Sequence, residues 1–197
     1  MWAETVARGM DDWKELPSRV AYAQGRFRVL ESRWRLRDGT ELTYPLLESP
    51  SFAIVVGVTG DRKVPFVENL HPTPGLRLLE LPGGRLDARE TPRAAARREL
   101  EEETGWRARK LTRIGQYYPN PHWGTFAGHI FLGEELAEGR IHPDPGEALR
   151  PVLLPIDEVY RRFRQGKFRG GSTIVGLSMA EARFRALGLL GDGPRHR

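Results

Sequence analysis

The sequence predicts an α+β protein. Three observations carry the prediction. Runs that read as strands fill most of the first half, a segment with helix start and stop signals follows near residue 91, and two more helical stretches close the chain after residue 155. A chain of 197 residues is long enough to bury a core without disulfides or metals as staples.

In order along the chain, residues 2–16 are polar with spaced apolar side chains ahead of Pro17, and read as a short helix. In 25–37, Phe27, Val29, Trp34 and Leu36 alternate with arginines, the pattern of half-buried strands. Asp38-Gly39 is a hairpin turn signal, and 40–47 is the returning strand. Residues 52–58 form a buried strand, 59–62 a turn and 64–68 another strand, followed by a Pro/Gly loop at 71–75. Residues 78–81 lead into Pro82-Gly83-Gly84. Thr91 is placed as an N-cap, Pro92 suits the first helical position, and Gly105 stands just beyond a helix over 91–104. Strands follow around 111–118, 128–132 and 151–154, then helices over 156–165 and 172–187. The expected division is an N-terminal helix-and-strand segment over 1–48, a main domain over 49–190 and a frayed tail over 191–197.

Composition removes several classes of function. Cysteine is absent, which excludes disulfides, thiolate metal sites and a Cys nucleophile. The longest apolar run, 52–58, is far too short to span a membrane. Met1-Trp2-Ala3-Glu4 carries an early acid and no apolar signal core, so a cytoplasmic location is expected. The net charge is +5, and of the 31 basic residues only Lys14, Lys63, Lys110 and Lys167 are lysines. The guanidinium fork suits phosphate, which is compatible with a nucleotide ligand. The arginines are scattered, so nucleic acid is not the expected partner, and the basic run 161–169 reads as a solvated helix face.

The helix over 91–104 has an unusual charge order. Residues three and four apart share a face, which groups Glu99, Glu102 and Glu103 into one carboxylate patch, while Glu101 falls opposite Arg97 and Glu102 opposite Arg98. Like charges at this spacing cost about 0.2–0.5 kcal/mol per pair. Acids in a last turn also oppose the helix dipole, at about 0.3–1 kcal/mol each when exposed. Gly83-Gly84, just upstream, brings bare backbone close to whatever sits there. Converging carboxylates with a backbone carbonyl make a hard-oxygen site suited to Mg²⁺ or Mn²⁺, and a cation relieves the repulsion.

The same stretch carries a recognisable pattern. After Gly84 come five residues and Glu90, then seven residues and Arg98-Glu99-Leu100-Glu101-Glu102-Glu103-Thr104-Gly105-Trp106. This resembles the Nudix box; every fixed position fits, and Trp106 departs only by being aromatic where an aliphatic residue is usual. The resemblance implies a Nudix fold, a mixed β-sheet sandwiched between helices, here with an N-terminal antiparallel β-strand subdomain. It implies a Mg²⁺- or Mn²⁺-dependent hydrolase of nucleoside diphosphates linked to another group. By matching position, Glu99 and Glu103 are the principal metal ligands, Glu102 a further one and the Gly83 carbonyl a backbone ligand. Arg98 and Glu90 pair to hold the loop on the helix.

Flanking residues 25–29 with Asp38-Gly39, then Leu79-Glu80-Leu81-Pro82-Gly83-Gly84, and Tyr117-Tyr118-Pro119-Asn120-Pro121 are similar to ADP-ribose pyrophosphatases. In that group the N-terminal strands pack on a second subunit and help build the adenosine pocket, which implies a homodimer. Arg28, Gly84, Arg85, Pro121 and Trp123 are the substrate-binding candidates. Asn69-Leu70-His71, the Pro121-His122-Trp123-Gly124-Thr125-Phe126 loop and Pro82-Gly83-Gly84 depart from the group's usual residues. Glu147, in a polar loop before a strand, resembles the family's distal glutamate as metal ligand or base, with Glu134 and Glu135 as rivals in the preceding loop. Glu102, Glu103 and Glu147 are thus the catalytic candidates. Histidines 71, 122, 129, 142 and 196 lack paired ligand spacing and read as surface or core residues, His71 and His122 being possible substrate contacts. The expected reaction is hydrolysis of a nucleoside diphosphate sugar, ADP-ribose first, to AMP and ribose 5-phosphate. The rivals are an RNA 5′-end pyrophosphohydrolase and a nucleotide-sugar sensor without turnover.

Overall fold

The structure, a computed structural model, describes residues 12–142 and 149–191. The chain divides into two compact units, Met1–Pro50 with Asn120–Phe126, and Ser51–Pro119 with Ala127–Arg197.

The first unit is an antiparallel sheet of β1 (Trp13–Gln24), β2 (Phe27–Leu36) and β3 (Glu41–Glu48) in that order. The β2–β3 hairpin closes where expected: Gly39 has φ 87°, and the Thr40 amide donates to Asp38 Oδ1 at 2.9 Å. The helix expected over 2–16 is corrected, because Trp13 onward is strand; residues 1–11 lie outside the described part. The reason is pairing along β2. Pro17 has no amide to give, and it falls in the register shift between Leu16 and Arg19 on an edge strand, where none is needed. Trp13 packs edge-on to Trp34 at 6.3 Å and against Tyr44 at 6.1 Å. Val20, Tyr22 and Tyr44 remain exposed. The 120–126 segment is tied to β3, the Leu47 amide donating to the Trp123 carbonyl and the Thr125 amide to the Leu47 carbonyl.

The second unit holds two sheets and three helices. One sheet orders its strands as β7 (Gly83–Arg85), β4 (Phe52–Gly57), β9 (Gly128–Glu138) and β8 (Trp106–Tyr117); β4 and β9 are parallel and the other pairs antiparallel. The other is β10 (Arg150–Pro155), β5 (Lys63–His71) and β6 (Leu76–Glu80), all antiparallel. The helices are α1 (Pro92–Thr104), α2 (Ile156–Arg164) and α3 (Gly171–Ala186).

The period of two along β4 builds the sandwich. Ala53 and Val55 meet Ala95, Ala96 and Leu100 of α1, with Phe131 of β9 beside them. Ile54 and Val56 face the opposite way into a larger core with Ile156, Val159 and Tyr160 of α2 and Leu177, Ala180 and Phe184 of α3. Helices therefore cover both faces of the mixed sheet. β9 runs on to Glu138 because β8 pairs with it as far as Trp106. Glu134 and Glu135 are thus on a strand, not in a loop as expected, and Glu134 is paired with Lys110 at 2.9 Å. Among the described residues, no helix is long and apolar enough to cross a membrane.

Candidate active site

Local sequence fixes the limits of α1. Thr91 accepts the Ala94 amide at 3.2 Å, Pro92 begins the helix, and Gly105 ends it with φ 74° while its amide donates to the Glu101 carbonyl. The helix has no acid in its first turn and no base in its last, the reverse of what the macrodipole favours. α2 of the same chain follows the usual order, with Asp157 and Glu158 in its first turn and three arginines in its last. The carboxylates ending α1 therefore serve something other than helix stability.

Two of them are buried. Glu99 is 8% and Glu103 5% exposed, and both face β7. The Gly83 amide donates to Glu103 Oε2 at 2.8 Å. A methyl at Gly84 would stand 2.5 Å from Cδ and 2.8 Å from Oε2 of Glu99, so this close approach requires glycine. Register explains why Gly83 can serve the helix. The Val55 amide bonds the Pro82 carbonyl and the Leu86 amide the Ser51 carbonyl, which makes Ile54–Gly83 a non-bonded pair. Both polar groups of Gly83 thus turn away from β4, the amide to Glu103 and the carbonyl to the same open edge.

Arg98 organises the rest. It grips Glu90 with Nε at 3.1 Å and Nη2 at 3.0 Å, and its Nη2 also donates to the Arg85 carbonyl at 3.2 Å. Its Nη1 donates to Glu99 at 2.8 Å and Glu102 at 3.0 Å. The bond to Glu90 first, with Glu102 and Glu99 behind it, raises the guanidinium pKa above its already high ordinary value. The expected Arg98–Glu90 pair is present, and the same arginine also neutralises part of the carboxylate patch. Glu101 points elsewhere: it pairs with Arg107 at 2.6 Å, not with Arg97 one turn back, and this bond holds its carboxyl below the usual range.

The donor chemistry suits a hard divalent cation. Buried carboxylate oxygens stand beside a strand edge that carries the Gly83 carbonyl, in a place that opposes the helix dipole. Among the described residues, no three His, Asp or Glu side chains form a ready-made cage. Glu147 lies outside the described residues.

The other candidates divide between the units. Gly84 and Arg85 are on β7 beside the carboxylates. Arg28, Pro121 and Trp123 belong to the first unit, where Arg28 pairs with Glu48 at 3.1 Å and Trp123 is 59% exposed. His71 bonds Glu80 at 2.5 Å, His122 is exposed, and His142 lies 3.9 Å from Glu102, while His196 is outside the described residues. Burial pushes the His129 imidazole below its ordinary pKa, and its Nδ1 has no partner. Sequence reasoning missed Arg107, because its contact with Glu101 crosses the helix end and follows no periodic spacing.

The sequence profile of the NUDIX domain matches residues 49–171. The ADP-ribose pyrophosphatase of Bacillus subtilis is 35% identical over 102 residues, which cover 52% of this chain and 55% of that protein. The chain thus matches about half the length of that relative. The CMP-5'-(N-acetyl-N-hydroxy-3-aminopropyl)phosphonate hydrolase of Streptomyces rubellomurinus is 29% identical over 167 residues, covering 84% of this chain and 80% of that one. Among solved structures, one described as an ADP compounds hydrolase superposes with a TM-score of 0.80 at 19% identity, covering 91% of this chain and 97% of its own; this likeness is one of fold.

Proposed function

The chain belongs to the NUDIX family, and on that premise we propose that it hydrolyses the pyrophosphate bond of a nucleoside diphosphate sugar, ADP-ribose foremost, to AMP and ribose 5-phosphate. The observation that carries the reading is the buried pair Glu99 and Glu103, held against Gly83 and Gly84 at the end of a helix whose charges oppose its dipole. The name of the Bacillus subtilis relative supports the choice of ADP-ribose.

In this mechanism Glu99, Glu103 and the Gly83 carbonyl would hold Mg²⁺ or Mn²⁺, with Glu102 and Glu147 as further ligands. When bound, the ion supplies positive charge against the phosphate oxygens and acidifies a water. The chain's own groups do the positioning. The Gly83 amide fixes one Glu103 oxygen, and Arg98 orients Glu99 and Glu102 while tying both to the 85–90 loop through Glu90 and the Arg85 carbonyl. Glu102, Glu103 and Glu147 are the catalytic candidates, Glu147 taking a proton from the attacking water. Gly84, Arg85, Arg28, Pro121 and Trp123 are proposed as substrate contacts. Such chemistry depends mainly on placed charge and alignment.

The reading extends to a homodimer formed through the β1–β3 sheet, supported by exposed Val20, Tyr22 and Tyr44 on a three-stranded sheet, and to a cytoplasmic location. The segment over 1–48 is then the dimerisation element and 49–190 the hydrolase domain.

The test is incubation with Mg²⁺, or Mn²⁺, and a panel of ADP-ribose, other nucleoside diphosphate sugars, a CMP-linked phosphonate and triphosphorylated RNA. Release of AMP and ribose 5-phosphate from ADP-ribose is expected. Cleavage of RNA alone would replace this reading with 5′-end processing. Binding of sugars with no turnover under either ion would make the chain a sensor.

A further inference from the structure

β9 ends at Glu138, and the next four residues lie across the C-terminal end of α1. The Gly139 amide donates to the Gly105 carbonyl at 2.7 Å and the His142 amide to the Glu102 carbonyl at 3.0 Å. The last carbonyls of a helix have no partner within it. This strap supplies one for Glu102, a residue of the carboxylate patch. Ile141 closes over Gly105, where a methyl would stand 2.9 Å from Ile141 Cγ1.

Glu101 holds the strap down. Its carboxylate pairs with Arg107 Nη2 at 2.6 Å and also accepts the Arg140 amide at 3.4 Å. Gly139 is clasped between the two partners: a methyl there would meet Glu101 Oε1 at 2.9 Å and Arg107 Cγ at 3.1 Å. One acid of the Glu101-Glu102-Glu103 run is thereby turned away from the carboxylate patch, onto the chain that crosses the helix end. The strap then reaches the patch from behind, through the Glu102 carbonyl and through His142 Nδ1, 3.9 Å from Glu102 Oε1.

We propose that Glu101 is a positioning residue, which with Arg107 pins residues 139–142 across the end of α1 and so fixes Glu102 for cation binding. This inference rests on the proposed function for its catalytic consequence and on the described contacts for the rest. A plain structural cap would protect the strap amides and change overall stability, but leave cation affinity alone. A positioning role couples the two.

The experiment compares wild type with Glu101→Ala, Glu101→Gln, Arg107→Ala and the Glu101→Ala/Arg107→Ala double variant in the full chain. The readouts are hydrogen exchange at the Gly139 and His142 amides, Mn²⁺ affinity by electron paramagnetic resonance, and kcat and KM on ADP-ribose. Glu101→Ala should speed exchange at both amides by about tenfold or more, an opening confined to this segment. Mn²⁺ affinity and kcat should fall several-fold together, with KM little changed. Arg107→Ala should do the same, and the double variant should be no worse than either single one, as expected for two ends of one contact. Glu101→Gln, which keeps an acceptor for the Arg140 amide, should fall between and serves if the alanine variant does not fold. Unchanged exchange at both amides overturns the proposal, and so does faster exchange with unaltered Mn²⁺ affinity. A wild-type chain that turns over no sugar overturns the functional reading instead, and the exchange and Mn²⁺ readouts still decide the strap.

Discussion

Replacing Gly84 with alanine separates space needed for chemistry from space needed for folding. The new methyl would lie 2.5 Å from Glu99 Cδ and closer still to Oε1. Ordinary contact begins near 3.5 Å, so the carboxylate must retreat by roughly 1 Å. It is the end of a side chain and can move, but the retreat breaks its 2.8 Å bond to Arg98. A hydrogen bond between charged groups is worth about 1.5–3 kcal/mol. Taking about 2 kcal/mol, a chain of this length should melt about 4–8 °C lower. The effect on turnover is far larger, since a 1 Å misplacement of a reacting group costs on the order of a hundredfold. Gly83→Ala is the internal control. Its methyl would press on the Ala53 carbonyl and stand 2.9 Å from Ile54 Cα, backbone of a central strand that cannot yield. Gly83→Ala should therefore lose much more stability than Gly84→Ala. Calorimetry and steady-state kinetics on the two variants with Mg²⁺ test the argument. A Gly84→Ala protein with wild-type kcat, or a Gly83→Ala protein as stable as Gly84→Ala, would refute it.

Other outcomes follow from the same geometry. Glu103→Gln keeps an oxygen for the Gly83 amide, so the metal-free variant should remain folded. Its kcat should nonetheless fall by about a hundredfold or more; full activity would remove Glu103 from the ligand set. Trp123→Ala removes an exposed ring and should shift stability by no more than about 0.5 kcal/mol. If the ring stacks on the base, KM should rise between about fivefold and a hundredfold with kcat retained, and an unchanged KM counts against that role. His129 gives a pH dependence. Burial depresses its folded pKa below the ordinary 6.5, so the unfolded chain takes up the proton more readily. Stability is therefore complete above that value and lost as pH falls through it. Melting curves from pH 7.5 to 5 should show wild type losing ground to His129→Gln, and parallel curves would contradict the assignment.

How much of this was legible beforehand depended on the range of the interactions. The limits of α1 follow from residues within a turn of each end, Thr91, Pro92 and Gly105, and the sequence shows all three. β4 is apolar on both faces, so a buried strand is legible from its run of side chains, while the partner of each face is set by packing. β1 was illegible because most of its side chains are exposed and Pro17 interrupts it; it exists as a strand because β2 pairs with it. The extension of β9 through Glu134 and Glu135 likewise depends on β8.

The carboxylate run was evident from spacing alone, but its partners were not. By itself, the sequence determined which acids share a helix face, since 3.6 residues per turn leave that no freedom. Only the tertiary structure decided that the Gly83 amide meets Glu103, that Glu99 enters the notch at Gly84, and that Glu101 turns to Arg107 and the strap instead of Arg97. Those contacts join segments whose approach is set by strand register and core packing, and no local periodicity encodes either.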